Sequence, residues 1–112
     1  YCQKENKRRY LTMKKTEFYT EHRGYRFPNC TTLEKIGMEM SNCCDALMRM
    51  GDKVIFAAMT YACGNTAAIY EFIETPEETG LGDIECRLNL IEISEEGFED
   101  AGHAAAWAFA RI

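Results

Sequence analysis

From Asn29 to Gly51 the apolar residues recur at helical spacing. Leu33, Ile36, Gly37, Met40, Cys43, Cys44 and Leu47 fall on one face of a 3.6-residue repeat, with Glu34, Lys35, Asn42, Asp45 and Arg49 opposite. Thr31 with Glu34 three residues on makes a capping signal, and Gly51 is placed to end the helix. Beyond Asp52 the pattern changes. "DKVIFAAMTYAC" and "TAAIYEFIET" are rich in β-branched and aromatic residues, and the intervening Gly64-Asn65 predicts a tight hairpin. Val54, Ile55, Phe56 and Ala57 are apolar on both faces, which predicts a strand covered from both sides. "IECRLNLIEI" predicts a third strand with Ile84, Cys86, Leu88 and Leu90 on one face. Near the start, "TEFYTEHRGYRF" predicts either a short hairpin in which Phe18 and Tyr25 pair, with Gly24 allowing the turn, or one irregular strand, with Pro28 closing it.

Ser94, Glu95, Glu96 and Gly97 are expected to open a final helix running to Ile112. At 100° per residue, Phe98, Gly102, Ala105, Phe109 and Ile112 share an apolar stripe suited to a sheet. Trp107 then lies nearly opposite, with His103 and Ala110 beside it. Either the N-terminal arm covers Trp107, or a second copy of the chain does, or another protein does.

The predicted fold class is α+β: a two-layer sandwich of an antiparallel sheet of three or four strands with two helices on one face, in the order (β)-α-β-β-β-α. Residues 1–14 are expected to form a flexible basic arm, and 15–112 a single domain. Met13 would make a plausible native start. The order of elements is similar to that of double-stranded RNA-binding domains. The likeness ends at topology, because "SEEGFED" stands where those domains present lysines to phosphate.

The chain of 112 residues is 46% hydrophobic and 28% charged, a composition that argues against disorder. No apolar run is long enough to suggest a membrane-spanning helix. Residues 1–51 carry ten Lys and Arg against six acids, whereas residues 52–112 carry three against twelve. Such asymmetry bears on partners rather than on fold. The cluster Lys7-Arg8-Arg9 is the one segment suited to nucleic acid, and direct nucleic-acid binding is otherwise not expected. Six cysteines fall mainly on apolar faces of regular elements, which predicts reduced, mostly buried thiols and a cytoplasmic location. No close-spaced ligand pair implies a metal, no glycine-rich phosphate loop is present, and no cofactor is expected.

No catalytic constellation stands out. The expected function is a non-enzymatic interaction module that self-associates through His103, Trp107 and Ala110 of the last helix. An acidic face of Glu71, Glu74, Glu85 and Glu92 would suit a basic partner, with Glu71 and Glu85 meeting across the sheet. The alternative is a small-molecule-binding protein or small enzyme. Its pocket would lie between helix and sheet, lined by Met40, Tyr61, Tyr70, Cys86 and His103.

Overall fold

A computed structural model describes residues 13–37, 44–59, 64–74 and 86–112. Strands β1 (Lys14–Lys15), β2 (Tyr19–His22) and β3 (Tyr25–Pro28) form a small antiparallel sheet in that order. β4 (Cys30–Thr32) leads into a helical turn, α1, over 33–37. Then come β5 (Cys44–Met50), β6 (Lys53–Met59), β7 (Asn65–Glu74) and β8 (Cys86–Ile93), followed by the helix α2 (Ala101–Phe109). The larger sheet is antiparallel throughout and ordered β4-β8-β7-β6-β5. The protein is thus a mixed α+β fold with two antiparallel sheets, of three and five strands. Lys14, placed by sequence in a loose arm, pairs with Glu21. Residues 1–12, with the basic cluster, lie outside the described residues.

Of the helix expected over 29–51, residues 33–37 are helical, and 38–43 lie outside the described residues. Thr32, not Thr31, caps it: the Lys35 N–H donates to Thr32 Oγ1 at 3.2 Å. Residues 44–50 are instead an edge strand paired with β6. Leu47 packs into the core on one side and Met48 on the other, the two-residue alternation of a strand. Gly51 ends no helix. At φ +61° it begins the Gly51-Asp52 turn that joins β5 to β6. Leu, Met and Arg favour helix, but pairing with a buried strand outweighs that small preference.

β6 bears out the expectation of a strand covered on both sides. Val54, Ile55, Phe56 and Ala57 are all buried. Val54 and Phe56 join a cluster with Phe27 of β3, Ile36 of α1, Tyr70 and Leu88. Phe27 and Phe56 meet edge to face at 6.2 Å, as do Phe56 and Tyr70 at 6.4 Å. The Tyr70 hydroxyl donates to the Pro28 carbonyl at 2.8 Å, which ties the small sheet to the large one. Burial pushes the Tyr70 phenol well above its ordinary range.

Ile55 and Ala57 face the other way, with Ala67 and Ile69, against Ala104, Ala105 and Ala108 of α2. The two helices therefore cover opposite faces of the sheet rather than one. The stripe facing the sheet also differs from expectation. Alanines meet alanines there, so the backbones can approach closely, and the bulkier Phe109 and Ile112 are left 40% and 42% exposed. α2 starts at Ala101 rather than after Ser94. Its cap is Asp100, whose carboxylate accepts from the His103 N–H at 2.8 Å. Segment 94–100 continues the sheet edge: Asn65 and Phe98 exchange backbone hydrogen bonds of 2.8 and 2.7 Å. Asn65 accordingly belongs to β7 and not to a two-residue turn. Gly64 allows this contact, since a Cβ there would lie 2.6 Å from the Phe98 carbonyl oxygen.

Candidate functional site

Elements from both ends of the chain converge on one groove. It runs beside β8, between the small sheet and the C-terminal end of α2, with a volume of about 1850 Å³. That exceeds the roughly 300–1,000 Å³ common for small-molecule pockets.

One wall is the β2–β3 hairpin. Its closing pair is His22 and Tyr25, so Arg23 and Gly24 form the turn. Both have positive φ, 53° and 83°, as a type I′ turn requires. Phe18, expected to pair with Tyr25, is 74% exposed and lies outside the hairpin. Within this wall the Thr20 hydroxyl donates to Asn29 Oδ1 at 2.6 Å. Asn29 Nδ2 donates to the Thr16 and Glu17 carbonyls at 2.8 and 3.3 Å. His22 is 1% exposed, and its Nε2 is 3.1 Å from the Glu95 carbonyl oxygen. Desolvation lowers the His22 pKa, with the neighbouring Arg23 charge acting the same way, so the ring is kept neutral. Arg23 is also buried, and its guanidinium packs on Gly97. A Cβ at Gly97 would lie 2.8 Å from Arg23 Cζ.

The opposite wall comes from β8 and α2. Ile69 faces Glu92 and Tyr70 faces Leu90, leaving Ile91 as the extra residue of a bulge. The bulge has a clear consequence. Leu90 can pack in the core while Glu92, two residues on, reaches the α2 side and pairs with Arg111. Ile91 stays half exposed in the groove. Trp107 packs against Phe98 at 6.3 Å between centroids, and the Arg111 guanidinium lies 4.7 Å from its ring centroid. These two residues cover much of the tryptophan within the chain.

The predicted site residues scatter. Trp107 lines the groove, whereas Ala110 and His103 are exposed on α2. His103 Nδ1 is 2.9 Å from the Asp100 carboxylate. That contact and the His103 backbone N–H hold Asp100 below its ordinary pKa, the backbone bond being the larger cause. Glu71 faces Asn89 across the sheet, not Glu85, and pairs with Lys53 at 3.0 Å. Glu74 faces Cys86 in the ladder. Glu92 is held by Arg111, while Glu85, Met40 and Tyr61 lie outside the described residues. Tyr70 belongs to the core on the side of the sheet away from α2, whereas His103 is on α2, so the two do not share a face of the sheet. Cys30 departs from the expectation of buried thiols. It is exposed at the groove, and Arg87 donates to its Sγ at 2.8 Å.

Sequence reasoning found Trp107 but missed His22, Arg23 and Arg111. The one local signal was the Arg-Gly pair at a hairpin turn. No helix among the described residues is long and apolar enough to cross a membrane, and among them no group of His, Cys, Asp and Glu is arranged to hold a metal.

No curated protein and no solved structure matches the chain. Residues 27–112 match the family model described as nucleotide modification associated domain 4, so α2, β8 and the groove wall they build lie inside the matched span, and the chain belongs to that family (Nmad4).

Proposed function

We propose that the groove binds a nucleotide, with its base against the apolar surface of Ile91, Met13 and Trp107 and its phosphate near Lys15, Arg23 or Arg111. The observation that carries this reading is the Arg111–Trp107 stack, which faces across the groove to the buried His22–Arg23 pair. A flat base gains from stacking on aromatic and guanidinium planes, by about 1–3 kcal/mol per base. The family description, which concerns nucleotide modification, supports the same ligand class. Charge decides how much nucleic acid is involved. Three Lys or Arg among the described lining residues are set against Glu17, Glu92, Glu95 and Glu96. A channel that follows a phosphate backbone carries a surplus of cations, so the fit is to one nucleotide or a single base drawn from a strand. Binding is the role the groove is assigned; its Cys30 thiol accepts a hydrogen bond from Arg87.

Trp107 is the one tryptophan in the sequence and reports directly on the groove. Titration with the four 2′-deoxynucleoside monophosphates should change its fluorescence saturably. Arg111→Ala should weaken that binding about tenfold, in line with loss of one stacked cation. Unchanged fluorescence with all four, alongside no rise in melting temperature, would remove the nucleotide reading.

Self-association through α2 is a second reading. It is favoured by the exposure of Phe109, Ala110 and Ile112 together at the helix end.

A further inference from the structure

We propose that His22 Nδ1 is the groove's ligand-reading atom: it accepts a hydrogen bond from an N–H of the bound nucleobase, and so selects bases that carry such a donor. This inference rests on the nucleotide reading of the groove and adds what the groove recognises.

The tautomer follows from one contact. A backbone carbonyl can only accept, so the Glu95 oxygen 3.1 Å from Nε2 requires the proton to be on Nε2. A neutral ring has one N–H, which leaves Nδ1 with a bare lone pair. That atom is buried and has no hydrogen-bond partner among the described residues. Two polar residues of the same wall differ. Thr20 and Asn29 both line the groove, and both are engaged with each other or with backbone carbonyls. Buried acceptors are normally satisfied, so an exception in the wall of a large groove points to a partner that arrives with the ligand.

The surroundings favour an N–H donor over a cation or an anion. Burial and the adjacent Arg23 charge both oppose protonation of the ring, so the lone pair persists near neutral pH. An anionic group would be repelled by that lone pair, whereas an amino or ring N–H is matched by it. The contact is dry, because His22 is 1% exposed. A dry site built around an acceptor rejects ligands lacking the donor far more strongly than a wet one. Residues 13–26, which supply His22 and most of this wall, precede the span matched by the family model.

The test compares each deoxynucleoside monophosphate with its N-methylated analogue, in which the base N–H groups on the pairing edge are replaced. The wild-type chain should bind at least one parent about tenfold or more tightly than its analogue. His22→Gln can still donate to the Glu95 carbonyl but offers no acceptor in place of Nδ1. It should weaken the parent toward the analogue's affinity and leave the analogue unchanged. His22→Asn, which returns an acceptor near Nδ1, should recover part of the discrimination. Equal loss for parent and analogue in His22→Gln would overturn the proposal, as would a wild type that does not discriminate. Nitrogen chemical shifts of the ring in the free chain give a check that needs no ligand. A protonated Nδ1 overturns the proposal outright. A bare Nδ1 with no nucleotide bound at all overturns the nucleotide reading and the ligand role with it, while leaving the tautomer established.

Discussion

The His22–Arg23–Gly24 corner shows how much one turn can commit. A type I′ turn favours Asn-Gly, because both residues need positive φ. Arginine at φ 53° costs about 1–2 kcal/mol relative to a relaxed backbone. The turn brings that arginine onto Gly97 and the preceding histidine onto Glu95. A neutral, buried histidine leaves a mark on stability. Its folded pKa lies below its unfolded value of about 6.5, so unfolding takes up a proton in acid. The contribution of His22 is therefore complete above about pH 6.5 and is lost as pH falls from there toward the folded pKa. Urea midpoints measured from about pH 7.5 down to about pH 5 should fall more steeply for wild type than for His22→Gln. Parallel curves would mean the ring charges as easily folded as unfolded. None of this was legible in "TEHRGYRF", where His22 stood out only as a turn neighbour. Its partners come from the far end of the chain.

At the scale of elements, the strands of the central hairpin were legible because their residue types and their burial agree. Two of the departures from expectation have separate causes. "CDALMRM" contains strong helix formers at helical spacing, and only the neighbouring Gly51-Asp52 turn and the buried β6 make it a strand. For α2 the helix itself was legible but its inward face was not. Hydrophobicity ranks Phe109 and Ile112 above alanine, yet the sheet presents Ala57 and Ala67, and only small residues fit between close backbones. Volume rather than polarity selected the face. Ala108→Leu, at a fully buried contact, should cost about 1–3 kcal/mol by overpacking. Ala106→Leu, two residues back and on the exposed side of α2, should change stability by less than about 0.5 kcal/mol. Urea unfolding of both variants checks the assignment; similar losses would mean α2 is rotated from the position described.

Across the whole molecule, both faces of the central sheet are covered from within the chain, one by α1 and the small sheet, the other by α2. The apolar outer side of α2 is then explained in two parts. Trp107 and Arg111, one turn apart, face the groove, while Phe109 and Ala110 are exposed. A second copy docking on Trp107 would occupy the ligand's place, whereas one docking on Phe109 would not. The two arrangements predict opposite linkage, because a ligand that binds only the uncovered groove must drive a Trp107-mediated dimer apart. Light scattering with and without a saturating deoxynucleoside monophosphate separates them. Self-association through Phe109 and Ile112 should persist in the presence of nucleotide. It should be abolished by Phe109→Glu, which places a charge in the contact, with the Trp107 fluorescence response intact. Dissociation on nucleotide addition would move the contact to Trp107 and make binding and assembly mutually exclusive. A single-copy mass at every concentration would leave the groove as the whole of the function proposed.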